Sequence, residues 1–170
     1  MLPCGGQNTE PIRSFDEDIN LVAQNVSSLA HLLPESIQIL IEAPHVRRLC
    51  NSTKKADELM ALLPNNKIGL VLDTSHVYAT GGDVSNWAQL NLSRIKHVQF
   101  RDALRNGEIN LSLGNGEVDF VDLVNVLESN EYDLTYSLEL ETHDIDENQR
   151  EKVSQAAGEF SSELITRFSK

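Results

Sequence analysis

Short apolar segments that end on polar side chains recur along this sequence, and they limit the possible folds more than any other feature. The clearest is Ile68–Asp73, an apolar run that stops at an acid and is followed by Thr74, Ser75 and His76. Buried strands of parallel sheets have this pattern, and functional sites lie at their carboxyl ends. We therefore expect Ile68–Asp73 to be a central strand whose end contributes to a site.

Three further segments share this character, with apolar residues on one strand face and polar residues on the other. Amphipathic segments with apolar residues at helical spacing separate them. Strands that alternate with helices predict a parallel sheet with right-handed crossovers. The further predicted strands are Ile37–Glu42 with Glu42, Ile95–Phe100 with His97 and Gln99, and Thr135–Glu141 with Glu139 and Glu141.

The segments between the predicted strands carry helix signals. Ser14 followed by Glu17 is the capping-box arrangement, and it predicts a helix that Pro34 ends. Met1–Arg13 is rich in glycine and proline and is predicted to be a loop. The remaining predicted helices begin at Ser52, near Val84, at Asp119 and near Asp146.

The polar strand faces decide between two parallel architectures. In a doubly wound sheet, helices cover both faces, so Gln99 and Glu139 would be buried beneath a helix. In a barrel one face looks inward, where polar side chains can meet a metal ion and water. Glu42 and Asp73 are 31 positions apart, which matches the roughly 31 residues per unit of a barrel of about 250 residues. We predict an α/β fold that is a partial (β/α) TIM-type barrel, about half of eight units.

The chain is long enough for one hydrophobic core, and residues 1–170 are expected to form a single barrel domain. The predicted strands supply only half a barrel, so we interpret the domain as lacking its amino-terminal strands. Three explanations stay open at this point: another chain or a second copy completes the barrel, the sequence is a fragment or truncated product, or the half-barrel stands partly open.

Charge and cysteine content disfavour several classes of function. The formal net charge of -12 argues against sequence-independent nucleic-acid binding, because that binding needs clustered Lys and Arg. Cys4 and Cys50 are too few and too widely spaced for a disulfide framework or a CxxC zinc site. Without a signal-peptide pattern or an apolar run of about 20 residues, we expect a cytoplasmic protein with no membrane segment.

Oxygen-bearing side chains at the predicted strand ends indicate a metal site. Successive predicted strands end on oxygen-bearing side chains, namely Glu42, Asp73, Gln99 and Glu139. Because side chains alternate between the two faces of a strand, their positions could direct all four toward one axis. Carboxylates and an amide oxygen form a hard ligand set suited to one divalent metal ion, with Mn or Mg favoured and Zn or Co as alternatives. Packing these acids together without a cation would be costly in repulsion and desolvation.

Five motifs in a fixed order give the sequence a resemblance to a known family. In that order they resemble the carboxyl half of the xylose isomerase-like TIM-barrel superfamily, which includes sugar-phosphate isomerases and epimerases, 3-dehydroshikimate dehydratases and endonuclease IV. The motifs are LIE at 40–42, GLVLDTSH at 69–76, HVQFRD at 97–102, LGNGEVDF at 113–120 and SLELE at 137–141.

The resemblance implies that Glu42, Asp73, Gln99 and Glu139 take the metal-ligand positions. Histidine is commoner than glutamine at the third position, but glutamine also occurs there, notably among the dehydratases. Both Glu139 and Glu141 point the same way along the predicted strand, and we favour Glu139 as the ligand.

The leading hypothesis from the resemblance is a metal-dependent isomerase or epimerase of a sugar, sugar phosphate or related polyol. Its small-molecule substrate would pass through an enediolate, with Glu42 and Glu139 exchanging a proton on opposite faces. His76, His97 and Arg101 would contact the substrate. Two alternatives stay open: a 3-dehydroshikimate dehydratase-like lyase, and a non-catalytic truncated family member.

A third alternative is an abasic-site nuclease. The segment DTSHVYATG at 73–81 and the pair Glu141-Thr142 are similar to the endonuclease IV signature. That enzyme needs three zinc ions, and its further ligands would fall near Pro3, Glu108 and Asn110. The remaining residues would hold one ion, so nucleic acid is not the expected partner.

Overall fold

The computed structural model describes residues 1–142 and 145–168, in which strands and helices alternate. The strands are β1 (Leu2–Pro3), β2 (Ile39–Glu42), β3 (Ile68–Asp73), β4 (Ile95–Phe100) and β5 (Thr135–Leu138). The helices are α1 (Phe15–Leu32), α2 (Thr53–Ala61), α3 (Thr74–Ala79), α4 (Val84–Asn91), α5 (Phe120–Ser129) and α6 (Glu147–Phe168).

The five strands form one sheet in the order β1-β2-β3-β4-β5, and every neighbouring pair is parallel. Each strand therefore pairs with the one before it in the chain. This sequential order is that of a (β/α) barrel, whereas the strand order of a doubly wound sheet reverses at a switch point. The predicted partial TIM-type barrel is confirmed.

The first strand was not predicted. The loop expected over Met1–Arg13 is wrong at its start, where Leu2 pairs with Ile41 and Pro3 pairs with Glu42. A strand of two residues is too short to show any hydrophobic period, so its pairing partner decides its conformation. The structure adds this strand at the β2 edge of the sheet.

Helix caps follow the sequence closely. Ser14 accepts a hydrogen bond from the Glu17 backbone N–H, and the Glu17 carboxylate accepts one from the Ser14 backbone N–H, so the predicted capping box is present. Ser52 and Asp119 cap α2 and α5 as expected. These caps satisfy N–H groups that have no partner inside the helix.

The apolar face of the sheet forms the core with the helices. Ile41, Leu70, Leu72, Val98 and Phe100 are at most 1% exposed and belong to one apolar cluster with side chains of the surrounding helices. The other face carries the polar strand residues, which are mostly half-buried. The alternation of apolar and polar strand residues predicted from the sequence therefore places the core on one face of the sheet and the candidate site on the other.

The loop after β4 is organised by the buried carboxylate of Asp102. This carboxylate accepts hydrogen bonds from the backbone N–H groups of Ala103, Gly114, Gly116 and Val118, at 2.8–3.2 Å. A side chain at Gly116 would overlap the carboxylate and place its Cβ 2.6 Å from the Ala103 carbonyl oxygen. Glycine is therefore required where the loop passes over Asp102.

None of the helices that the structure describes has both the length and the apolar character needed to cross a membrane.

Candidate functional site

A cavity of about 590 Å³ lies at the carboxyl ends of the strands. Its lining includes Glu42 from the end of β2, His76 from α3, Arg101 after β4, and Glu139 after β5. Active sites of barrel enzymes lie at this end of the sheet, and small-molecule sites commonly have volumes of about 300–1,000 Å³. The cavity is therefore the candidate site.

Three carboxylates lie close together here, of which Glu42 and Glu139 line the cavity and Asp73 is buried beside them. One oxygen each of Glu42, Asp73 and Glu139 can be chosen so that all three lie within 4.8 Å of one another. This is a separation that one cation can bridge, because carboxylate oxygens coordinate divalent ions at about 2.0–2.6 Å. Three of the four residues predicted as metal ligands are thus brought together.

Strand register explains why these side chains converge. Glu42 pairs with Val71, which lies two residues before Asp73, so Glu42 and Asp73 project from the same sheet face. Asp73 in turn pairs directly with Gln99 on β4. Gln99, the fourth predicted ligand, therefore lies beside Asp73 on that face.

The same register brings in Glu139. Gln99 pairs with Ser137 on β5, and Glu139 follows two residues later on the same face. The Glu139 backbone N–H donates to the Phe100 carbonyl at 3.1 Å, which extends the pairing beyond the last residue of β5. Glu141, the alternative ligand, also lines the cavity but lies outside the group of three carboxylates.

Two oxygen atoms at the site are buried without a hydrogen bond from the described part of the chain. They are Oδ2 of Asp73 and Oε1 of Gln99. The other oxygen of Asp73 accepts from the Ser75 and His76 backbone N–H groups and from the Ser75 hydroxyl. A buried acceptor without a partner costs about 1–3 kcal/mol. A cation beside these two oxygens would satisfy both, so the residues fit a hard divalent ion.

The electrostatics of the carboxylates also favour a cation. Burial raises the pKa of Glu42 to about 7, and the charges of Asp73 and Glu139 act in the same direction. Burial likewise raises the pKa of Asp73 and of Glu139 above their ordinary values. The group is therefore destabilised as three anions, and a bound divalent ion would reverse that effect.

Arg101 holds two of the acids in place. Its guanidinium donates to Glu139 and to Glu141, each at 2.8 Å, and it lies 3.8 Å from the unpaired Asp73 oxygen. The Arg101 backbone N–H donates to the Thr74 hydroxyl, which itself donates to the Arg101 carbonyl. The end of β4 is thereby fixed against the start of α3.

Two imidazoles in tilted contact, with 32° between their planes, form another side of the cavity. The rings of His45 and His76 have centroids 3.8 Å apart, and His76 Nε2 lies 3.6 Å from a Glu42 oxygen. Burial lowers the pKa of His76 to about 3 and that of His45 to about 4. Both rings are therefore neutral at neutral pH and can serve as hydrogen-bonding groups.

His97 is placed differently from the other predicted site residues. Its Nε2 atom lies 2.8 Å from the Ser137 hydroxyl, and it pairs with Val71 in the interior of the sheet. It is not among the described residues that line the cavity. The structure thus places Glu42, His76, Arg101 and Glu139 at the cavity, with Asp73 in the group of three carboxylates. Gln99 is not among the described lining residues either, but it lies next to Asp73 in the strand register, one position nearer the carboxyl ends of the strands than His97 on the same face of β4.

Sequence reasoning did not identify five of the lining residues, one of which is Ile109 in the loop after β4. Gln7, His45, Arg47 and Arg48 line the cavity from the loops after β1 and β2. Loops carry no period that predicts side-chain direction. The only signal available was position, because His45, Arg47 and Arg48 follow a predicted strand end closely.

A sequential parallel sheet with carboxylates converging at the carboxyl ends of its strands defines an α/β-barrel protein with a candidate metal site. The family model described as xylose isomerase-like TIM barrel matches residues 2–164. The chain belongs to this family, which confirms the resemblance.

Curated relatives of the chain are longer than it is. Inosose dehydratase of Clostridium perfringens is 24% identical over 136 residues, which cover 69% of this chain and 46% of the relative. The chain thus spans about half the length of the curated relatives that it matches.

Solved structures show the same fold. The IolI protein with a bound zinc atom has a TM-score of 0.76 at 19% identity, covering 98% of this chain and 63% of that one. D-psicose 3-epimerase of Clostridium cellulolyticum also has a TM-score of 0.76, at 17% identity, covering 92% of this chain and 59% of that one. At such identities the likeness concerns the fold alone.

Proposed function

We propose that the chain forms the catalytic end of a metal-dependent isomerase or epimerase acting on a sugar, sugar phosphate or related polyol. The observation that carries the proposal is the group of Glu42, Asp73 and Glu139, with oxygens within 4.8 Å of one another. Gln99 adds a buried amide oxygen without a partner from the described residues. One Mn or Mg ion suits this set, and Zn or Co would also fit.

Side chains of the cavity would carry out proton transfer and orient the substrate. A divalent ion held by Glu42, Asp73, Gln99 and Glu139 would supply Lewis-acid polarisation of a substrate carbonyl, which would make the proton on the neighbouring carbon easier to remove. Glu42 and Glu139 come from β2 and β5, which flank β3 and β4. They approach a substrate from two sides, so one takes a proton and the other returns it. His76 and Arg101 donate hydrogen bonds that orient substrate oxygens.

Dehydration is the second candidate, and two observations favour it. Curated relatives of the chain are named inosose dehydratases, and Gln99 occupies the third ligand position as it does among dehydratases of the resembling superfamily. The first step would be the same proton removal, but a hydroxyl group on the adjacent carbon would then leave as water. Mass spectrometry separates the two reactions, because dehydration removes one water and isomerisation leaves the mass unchanged.

The metal site can be tested before any substrate is known. Titration calorimetry with Mn²⁺ should give one ion per chain, and Glu42→Gln and Glu139→Gln should each weaken binding about 10-fold or more, because each removes a charged ligand. Glu151→Gln is the matched control, since Glu151 is exposed on α6. Equal Mn²⁺ affinity in all four proteins would contradict the proposal.

Turnover is tested by proton exchange. Incubation of the Mn²⁺-loaded chain with a panel of ketoses and ketose phosphates in D₂O should place deuterium next to the carbonyl, and Glu42→Gln should abolish that exchange. A chain that binds the ion but exchanges no proton would instead support the non-catalytic alternative. An abasic duplex in the same panel tests the nuclease alternative, which we do not favour.

Several other expectations remain proposals. We propose a single domain over residues 1–170, a cytoplasmic location, and completion of the barrel by strands of another chain, which is either a second copy or a different partner. Native mass spectrometry with and without Mn²⁺ measures the oligomeric state directly.

A further inference from the structure

The cavity has a cationic side as well as an acidic one. Arg47 and Arg48 line it together with Arg101. Arg101 is already paired with Glu139 and Glu141. Within the residues that the structure describes, neither Arg47 nor Arg48 forms an ion pair with a carboxylate. Two guanidinium groups at the cavity therefore retain donors for a ligand.

Backbone hydrogen bonds hold these two arginines in place. The loop between β2 and α2 is closed by a bond from the His45 N–H to the Cys50 carbonyl, and the Arg48 N–H donates to the His45 carbonyl. The Arg47 N–H donates to Nδ1 of His45 at 3.1 Å. This closed loop fixes the backbone positions of both arginines at the cavity, where the Arg47 side chain is exposed and the Arg48 side chain is half-buried.

The Arg48 side chain is partly fixed but not fully used. One terminal nitrogen lies 3.4 Å from the Gly5 carbonyl oxygen, while Nε is buried without a hydrogen-bond partner from the described residues. A guanidinium has five N–H donors in a planar fork that matches carboxylate and phosphate oxygens. The free donors of Arg48 would be satisfied by an anionic oxygen in the cavity.

Charge balance points to the same kind of ligand. The acids at the site are Glu42, Asp73, Glu139 and Glu141, and the cations are Arg47, Arg48 and Arg101. Once the carboxylate group holds a divalent ion, the cations exceed the anions by one charge. A neutral sugar would leave that excess uncompensated in a half-enclosed cavity, whereas a substrate with an acidic group would balance it.

A second cation explains the arginines less well. Glu42, His45 and His76 also offer ligand atoms within 4.8 Å of one another. However, His45 Nδ1 already accepts a hydrogen bond from Arg47. A second divalent ion would also add to the excess positive charge beside Arg47 and Arg48. The charges of this side of the cavity suit an anion.

We propose that Arg47 and Arg48 form a subsite for a carboxylate or phosphate group of the substrate. The inference rests on the proposed function in one respect, namely that this cavity is the active site. It narrows the substrate class to polyhydroxylated compounds that carry an anionic group. The anion lies against the loop after β2, while the carbonyl end faces the carboxylate group.

Paired compounds test the subsite and distinguish its two ligand chemistries. Calorimetry with the Mn²⁺-loaded chain would compare fructose with fructose 6-phosphate for a phosphate group, and glucose with gluconate for a carboxylate. The anionic member of one pair should bind about 10-fold more tightly or better, because hydrogen bonds to charged groups are the stronger ones. The pair that shows the preference identifies the anion.

Arginine variants assign the preference to residues. Arg47→Ala and Arg48→Ala should each weaken binding of the anionic compound about 10-fold or more and leave the neutral compound unaffected. Arg47→Lys should retain part of the affinity, because it keeps the charge but loses the fork. Lys152→Ala removes an equal charge from the exposed face of α6 and should change nothing. Thermal unfolding by circular dichroism verifies that each variant folds.

The result that would overturn the inference is equal binding within both pairs, or anion binding that survives both alanine variants. Mn²⁺ affinity measured on the same proteins separates this inference from the proposed function. If the parent binds no Mn²⁺ but still binds inorganic phosphate through Arg47 and Arg48, the anion subsite stands and the metal-dependent function fails. If the parent binds Mn²⁺ but shows no preference for the anionic compounds, the anion subsite fails and the metal site stands.

Discussion

At the scale of single residues, Glu42 is the group whose ionisation depends most clearly on its neighbours. Burial raises its pKa to about 7, with the charges of Asp73 and Glu139 adding to the shift. In the unfolded chain a glutamate has its ordinary pKa of about 4.3. Between these two values the folded, metal-free chain binds a proton that the unfolded chain has released. This contribution to stability is therefore present below about pH 4.3 and is lost as the pH rises to about 7.

The variant Glu42→Gln isolates this contribution. The stability of the parent relative to the variant should fall from about pH 5 to about pH 8, because only the parent releases the proton. Chemical denaturation at both pH values, with a chelator present, measures the difference. The lowered pKa values of His45 and His76 act in the opposite direction below about pH 6.5, but they are common to both proteins and cancel. A difference that does not change with pH would contradict the raised pKa.

How much of the site could be predicted depended on where each residue lies. Glu42, Asp73 and Gln99 lie on strands, where alternation fixes side-chain direction, so sequence parity was sufficient to group them. His45 and Arg47 follow a strand end, and their direction is set by the bond between the His45 N–H and the Cys50 carbonyl. No local pattern predicts that bond. Of the cavity's arginines, Arg101 was therefore predicted, whereas Arg47 and Arg48 had no signal beyond their closeness to a strand end.

At the scale of elements, two short segments connect the sheet to the site. The loop after β4 is organised by Asp102, and α3 is joined to the end of β4 by Thr74. Both connections are buried hydrogen-bond networks, since Asp102 is 1% exposed and Thr74 is 0% exposed. Such networks position loops well but are sensitive to substitution, because any partner left behind is buried without water.

Asp102→Asn should destabilise the chain by about 2–4 kcal/mol, because an amide group would face several backbone donors with its own N–H groups. The change also frees the loop that carries Ile109 and Asn110 to the cavity. Chemical denaturation measures the loss. Asp133→Asn is the matched control, since Asp133 is exposed. Equal losses in the two variants would show that the carboxylate of Asp102 does not organise the loop.

Thr74→Val keeps the side-chain shape but removes the hydroxyl that bonds to the Arg101 N–H and to the Arg101 and Gln99 carbonyls. We expect a loss of about 1–3 kcal/mol together with weaker Mn²⁺ binding, because β4 and α3 would separate at the site. Calorimetry and denaturation measure the two effects. Thr135→Val, at an exposed strand position, should show neither effect. Unchanged metal affinity in Thr74→Val would restrict the hydroxyl to a role in stability.

Element prediction failed where an element was too short to show a period. Helix α3 has six residues and begins directly after β3. Its start depends on the Asp73 carboxylate, which accepts from the backbone N–H groups of Ser75 and His76. The longer helices and the strands β3 and β4 were predictable, because their apolar residues repeat often enough to define a face.

At the scale of the whole molecule, alternation of strands and helices was sufficient to predict a parallel sheet of barrel type. Pairing of sequential strands then follows from short right-handed connections. The extra strand β1 was not predictable, because its two residues pair only when β2 is already formed. Its far end leads into Cys4, whose buried thiol lies 3.8 Å from the carbonyl oxygen of the equally buried Cys50.

These two thiols should report on global unfolding. Cys4 is 1% exposed and Cys50 is 0% exposed, and a hydrogen bond with Cys4 together with burial raises the pKa of the Cys50 thiol. Neither should react with Ellman's reagent in the native chain, whereas both should react in denaturant. Saturating Mn²⁺ should slow labelling further, because an ion that binds only the folded chain stabilises it. Rapid reaction of the native chain would show that the segment after β1 opens independently.

Asp73 links the chemistry of the site to the architecture around it. One of its oxygens begins helix α3, while the other accepts no hydrogen bond from the described residues and lies 3.8 Å from the Arg101 guanidinium. Any replacement of Asp73 would therefore affect both tasks, because a substitute for this proposed metal ligand would also have to begin the helix that carries His76. If Asp73 holds an ion as proposed, the loops around the cavity could change without displacing it, because the position of the ion would be tied to the first turn of α3.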